Sequence, residues 1–150
     1  MSELKYDALK LENQLCFPLY AAAREIVKRY RPHLDAIGLT YTQYITMMVM
    51  WEQGEITVKS LGEKLYIDSG TMTTVLKSLE AKGFVVRQRS TEDERSVCVI
   101  LTENGEKLKE IAADIPQKIA DCVGLEPTEA MQLYSLLYKI FNDNEKGLPH

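Results

Sequence analysis

Disulfide and metal frameworks have little to build on in this sequence. It holds three cysteines, Cys16, Cys98 and Cys122, an odd and widely spaced set with no C-x-x-C pair. Its two histidines, His33 and His150, stand apart, so no zinc site is expected, and no cofactor either. No apolar run approaches the ~20 residues of a membrane span. The opening MSELKYDALKLENQ is too polar for a signal peptide, which makes the cytoplasm the expected compartment and gives no reason to expect a membrane partner. A net positive charge is lacking as well, with 18 Lys and Arg against 22 Asp and Glu. The formal net charge of −4 argues, taken alone, against a nucleic-acid partner.

The distribution of charge is more informative than its sum. Residues 57–95 carry seven Lys and Arg against six Asp and Glu, whereas residues 96–150 carry five against nine. The middle is therefore locally the most basic part, and the acidity gathers in the C-terminal third. With 150 residues, 45% hydrophobic and 27% charged, the chain reads as one globular domain over 1–150.

Periodicity divides that domain. Leu15, Leu19, Ala22, Ile26 and Tyr30 recur at helical steps and predict a long helix over 8–31, kinked or broken at Pro18 and closed by Pro32. A second helix follows, capped by Thr40 or Thr42, with Ile45, Met48, Val49 and Trp51 as its apolar positions and a Met-rich face that belongs in the core. Two short helices come next. TVKSLGEKLYI places Val58, Leu61 and Leu65 on one face. TMTTVLKSLEAKGF, with Ser69 as its expected N-cap, turns Met72, Val75, Leu76 and Leu79 inward and ends at Gly83. Thr71, Thr73, Thr74, Lys77 and Ser78 form its outward face. The period then changes to two: FVVRQR and SVCVILT flank the polar STEDER and predict a β-hairpin. A helix capped by Thr102 should run to about Cys122 and bend near Pro116. A last helix, with Pro127 in its first turn, should bury Leu133, Leu136, Leu137, Ile140 and Phe141.

Two short helices, a tight turn and a hairpin make a winged helix-turn-helix, so the expected fold class is mainly α with a small β-hairpin wing. The second of the pair shows small hydroxylated side chains and a lysine, which can approach phosphates and base edges in a major groove. The hairpin carries Arg87, Arg89 and Arg95, suited to a narrow, negative minor groove. A solvated polar face, or a protein-interaction module, uses the same pattern.

STEDERSVCVILTENGEKL closely resembles the wing and following helix of the MarR family of bacterial transcription regulators, and LGEKLYIDSGTMTTVLKSLEAKGFVVRQRS resembles the family's helix-turn-helix. The resemblance implies that Asp93 and Arg95 lie at the wing tip, with Arg95 in the minor groove and Asp93 orienting it. It also implies a homodimer built by the terminal helices, here 1–37 and 103–150, holding two DNA-binding parts, here 38–102, on successive major grooves of an inverted-repeat operator.

LENQLCFPLYAAAREI is similar to the organic-hydroperoxide-sensing OhrR branch of that family. That likeness implies that Cys16 is oxidised by an organic hydroperoxide and the repressor then leaves its operator, with Tyr20, Tyr30 and Tyr41 about the thiol. Members of that branch either end as a mixed disulfide with a small thiol or use a second cysteine near the end of the fifth helix to capture the sulfenic acid; Cys122 resembles the second kind, with packing against the last helix as its other reading. Geometry adds one constraint. Tyr20 is one turn from Cys16 on the same face, but Tyr30 is 14 residues on, roughly 21 Å along a continuous helix, and can meet only a partner's Cys16. Free cysteines and helically spaced tyrosines are commonly just packing. Two further readings stand beside this one: a MarR-type regulator answering a small aromatic ligand with Cys16 inert, and an enzyme, a thiol peroxidase acting through Cys16. The latter lacks an arginine or histidine near Cys16 in sequence, and no enzymatic role is expected.

Overall fold

Side-chain caps set the ends of the central helices. In the computed structural model, which describes residues 2–144, the chain runs α1 (Ser2–Asp7), a single 3-10 turn (Leu11–Asn13), α2 (Cys16–Asp35), α3 (Tyr41–Gln53), β1 (Glu55–Thr57), α4 (Val58–Leu65), α5 (Ser69–Ala81), β2 (Val85–Arg89), β3 (Val97–Leu101), α6 (Glu103–Ala112), α7 (Ile115–Val123) and α8 (Pro127–Asn144). Thr40 and Gln43 close a reciprocal capping box at the start of α3. Thr57, Asp68 and Thr102 each accept a backbone N–H at the starts of α4, α5 and α6. Asp68 rather than Ser69 caps α5, because the aspartate stands one residue earlier and reaches the Thr71 N–H at 2.9 Å.

The two prolines of the first long segment behave unlike the expectation. Pro18 is the third residue of α2, in the turn whose N–H groups have no helical partner, so it neither kinks nor breaks the helix. Pro32 lies inside the same helix, which continues to Asp35 and forgoes one hydrogen bond there. The stop comes at Gly38, with φ 72°, after Leu39 N–H has bonded back to Leu34 O at 3.0 Å. The segment before Cys16 is not part of this helix; α1 and the 3-10 turn occupy it.

The expected hairpin gains a third strand. β3 lies between β1 and β2, both antiparallel to it, with Ile56 opposite Val99 and Arg87 opposite Val99 on the other side. The span 103–122 divides into α6 and α7 at Ala113 and Asp114, just ahead of Pro116. α8 does start at Pro127.

Among the described residues, the fully buried members of the hydrophobic core lie between Leu34 and Ile119, with Tyr30 and Val123 packed against them. Met47, Met50, Leu61, Met72, Leu76, Leu79, Val85 and Val99 are sealed from solvent, joining α3, the helix-turn-helix and the sheet. On α3 the methionines of the core are Met47 and Met50; Met48 is exposed, and Ile45, Val49 and Trp51 are half-buried. The last helix departs most from expectation. Leu133, Leu136, Ile140 and Phe141 are exposed, and Leu137 is half-buried; among the described residues the Tyr66 ring stacks on Phe141 at 4.3 Å but leaves most of that face open.

Candidate nucleic-acid interface and thiol site

α5 presents its polar face through its own backbone. Thr73 and Thr74 donate their hydroxyls to the carbonyls of Ser69 and Gly70, at 2.8 and 3.3 Å, which turns the oxygen lone pairs and methyl groups outward. Lys77 is exposed beside them. Thr71 is otherwise engaged: its N–H and its hydroxyl both donate to Asp68, at 2.9 and 2.7 Å. Those two bonds hold the Asp68 carboxyl below its ordinary range. Ser69 is the exposed first residue of the helix, and Ser78, expected on the outward face, turns instead toward α3.

The wing tip is ordered by Asp93 together with Ser90, whose hydroxyl accepts the Glu92 and Asp93 N–H groups at 3.2 and 3.4 Å. Asp93 accepts the Arg95 N–H at 3.0 Å and the Ser96 hydroxyl at 3.4 Å, and Ser90 N–H closes the loop on Ser96 O at 2.8 Å. Asp93 thus orders the backbone that carries Arg95, rather than gripping its guanidinium. Among the described residues Arg89, Arg95 and Lys77 form no ion pair, leaving their charge toward solvent. Arg87 differs. Its N–H donates to Glu80 Oε2 at 2.8 Å and its guanidinium lies 3.2 Å from Glu80 Oε1. The bonds from Arg87 hold the Glu80 carboxyl below its usual range. Arg87 therefore ties the wing to α5 and is not a free reader of a groove. Between the α4–α5 turn and the wing lies a cleft of about 1150 Å³ onto which Lys59, Ser69, Thr73, Arg87 and Arg95 open.

The thiol site is split. Cys16 is the first residue of α2 and exposed. Tyr20, one turn on, is also exposed, with the Arg24 guanidinium 5.2 Å above its ring. Tyr30 lies in the same unbroken helix, far from Cys16, and packs on Tyr41 and Tyr44 with ring centroids at 5.0 and 5.6 Å. Burial, then the neighbouring phenols, push Tyr30 up to about 12, so it stays a hydrogen-bond donor. Burial raises Tyr41 and Tyr44 too. Tyr44 was not anticipated as part of this cluster; its spacing of three from Tyr41 is the signal that places both on one helical face. Cys122 is exposed near the end of α7, where Arg29 Nη1 donates to its carbonyl at 2.5 Å. Arg29 is 13 residues along α2 from Cys16, about 20 Å by helical rise. Within one chain, then, Cys122 sits at the Tyr30 end of α2 and remote from Cys16. Cys98 occupies the central strand, half-buried.

Comparison with known proteins agrees with this architecture. Residues 26–111 match the family described as "Transcriptional regulator SarA/Rot". The organic hydroperoxide resistance transcriptional regulator of Bacillus subtilis is 50% identical over 92% of this chain and 94% of its own. AbfR of Staphylococcus epidermidis has been solved in several states. Its reduced form on DNA matches at TM-score 0.79 with 32% identity, over 94% of this chain and 96% of that one. Its overoxidized form on DNA matches at TM-score 0.75 with 32% identity, over 93% and 98%. Its disulfide form matches at only 0.59, with 31% identity over 97% of each chain.

Proposed function

The chain belongs to the MarR family of transcription regulators, in its organic-hydroperoxide-sensing branch, and from that premise we propose that it is a dimeric repressor whose DNA grip is released by oxidation of Cys16. The observation that carries this reading is the split thiol site. α2 holds Cys16 at one end and the Tyr30 cluster at the other, so two antiparallel copies of α2 bring each thiol to the phenols of the other chain.

The DNA-binding part is 38–102. The α5 face of Ser69, Thr73, Thr74 and Lys77 enters the major groove, with Thr71 and Asp68 fixing its first turn. Arg95 reaches the minor groove and Arg89 the adjoining phosphates, while Arg87 holds the wing in place. Residues 1–37 and 103–150 dimerise, which covers the exposed apolar face of α8. Two recognition helices then meet half-sites about 34 Å apart.

The chemistry follows from the thiol. The Cys16 thiolate attacks the outer oxygen of an organic hydroperoxide; an S–O bond forms as the O–O bond breaks, and the alkoxide leaves with a proton as the alcohol. Tyr30 and Tyr41, kept protonated, donate to the sulfur and to the departing oxygen. Exposed Leu15, Phe17 and Leu19 favour an apolar peroxide. The product is a sulfenic acid. Cys122 of the other subunit then attacks that sulfur and water leaves, forming a disulfide. AbfR holds DNA both when reduced and when overoxidized, and its disulfide form is the state whose shape differs most from this chain. Those facts favour the disulfide, rather than added oxygen, as the releasing event. A disulfide needs Cα atoms within about 7 Å, so forming it moves α7 and α2.

The test is a DNA-binding titration with and without cumene hydroperoxide. Wild type should release the duplex, and Cys16→Ser should bind it equally well and ignore the peroxide. Peroxide-driven release in Cys16→Ser would end this reading, and rapid turnover of peroxide with a thiol reductant would favour a peroxidase.

A further inference from the structure

Helix α3 faces two ways. Tyr41 and Tyr44 pack on Tyr30 of α2, whereas Gln43, rotated roughly 200° from Tyr41, points to α5. Gln43 is 6% exposed, yet every polar atom of its side chain is used. Its Oε1 accepts the Thr40 N–H at 3.1 Å and the Lys82 ammonium at 2.8 Å, and its Nε2 donates to Ser78 Oγ at 2.9 Å. Lys82 also donates to Gly38 O at 2.6 Å. Ser78 and Lys82 belong to the C-terminal half and end of the recognition helix, next to the exposed Lys77.

The apolar contacts between α3 and α5 cannot do the same job alone. Methionines and leucines fill the shared core, and such packing tolerates small sliding because it has no direction. A buried amide gripping a hydroxyl and an ammonium is directional and costly to leave unpaired. We propose that Gln43 is the positioning residue that makes the recognition helix follow the tyrosine cluster. When the partner's Cys16 is drawn away from Tyr30 and Tyr41, α3 shifts, and Gln43 carries Ser78 and Lys82 with it. The recognition helix then turns away from its groove. This inference rests on the redox reading above.

The experiment measures duplex affinity of the full-length dimer, reduced and after cumene hydroperoxide, using a fluorescent duplex selected from a random pool by the reduced protein. The readout is the ratio of oxidised to reduced Kd, which a merely structural role leaves unchanged. Ser78→Ala and Lys82→Met each remove one bond to Gln43, the second also the bond to Gly38 O, without touching the core. Each should lower the ratio on the order of fivefold or more, the usual size of such couplings, while Cys16 oxidises at the wild-type rate. Gln43→Glu should keep the wild-type ratio, since a carboxylate accepts from Thr40, Lys82 and the Ser78 hydroxyl together. Gln43→Met combined with Ser78→Ala should be no worse than Gln43→Met alone. Should Gln43→Met not fold, the Ser78 and Lys82 variants decide. A wild-type ratio in both Ser78→Ala and Lys82→Met overturns the role of Gln43. If wild type itself fails to release DNA, the redox reading falls and takes this inference with it, a result distinct from the first.

Discussion

Residues 34–119 and the segments on either side of them bury their apolar groups in opposite ways. The central part seals fifteen hydrophobic side chains and satisfies its polar ones internally, through caps, the sheet and the Gln43 bonds. The flanks are as rich in leucine and tyrosine but leave them open: Leu9 is 76% exposed, Leu15 80%, Met131 71% and Tyr134 64%. A monomer seldom shows so continuous an apolar surface without a use for it. The contrast shows that one chain completes the reading head but only half of the body. What the flanks lack is another copy, and the proposed thiol site calls for the same one.

Three substitutions break the two regions separately. The largest effect belongs to the flank. Leu136→Glu places a charge on the open face of α8 and should give a folded monomer by sedimentation, with specific duplex affinity down on the order of a thousandfold once half-sites are read singly. The head is struck next by Gly105→Ala. A Cβ there meets the Phe84 carbonyl and comes within 2.6 Å of Leu101 Cδ1, at the point where Trp51 Nε1 donates to Gly105 O at 2.8 Å. Such overpacking should cost about 3 kcal/mol in urea unfolding. Arg95→Ala should weaken duplex binding by ~1–3 kcal/mol while the dimer and the urea midpoint stay as in wild type. Unchanged affinity would remove the wing from the reading surface.

The smallest effect sharpens the comparison at the boundary between regions. The phenol of Tyr30 has its pKa raised from 10.0 to about 12. Its neutral form is the stabilised one, so its contribution is complete below the ordinary value and is lost as pH rises through about 12. In an absorbance titration Tyr30→Phe should leave the ordinary tyrosine step intact and remove amplitude only at the alkaline end. Loss of amplitude in the ordinary step would mean that Tyr30 is open to solvent.

Much of this was legible in the sequence because helical and alternating periods report which side of an element is covered. The helix-turn-helix, the wing, the Thr40 and Thr102 caps and the Pro127 start all follow from local pattern. Local pattern failed where a neighbour decides. β1 is three residues long, too short for any period, and exists because β3 pairs with it. Pro18 is harmless only because α2 begins at Cys16 and not at residue 8. Arg87 shares its hairpin setting with Arg95, but Glu80, seven residues away in sequence, holds it. The face of α8 has the right period, but the sequence does not say that its cover lies outside the chain.

The continuity of α2 has a genetic consequence. If each sensing pocket takes Cys16 from one subunit and the Tyr30 cluster from the other, a mixed dimer of Cys16→Ser and Tyr30→Phe subunits holds one pocket with both parts intact and one with neither. Two alleles that each fail alone would together restore half of the pockets in every such heterodimer. A Cys16→Ser allele beside wild type would leave each mixed dimer with a single working thiol, so whether that allele is dominant reports how many oxidised pockets release the operator.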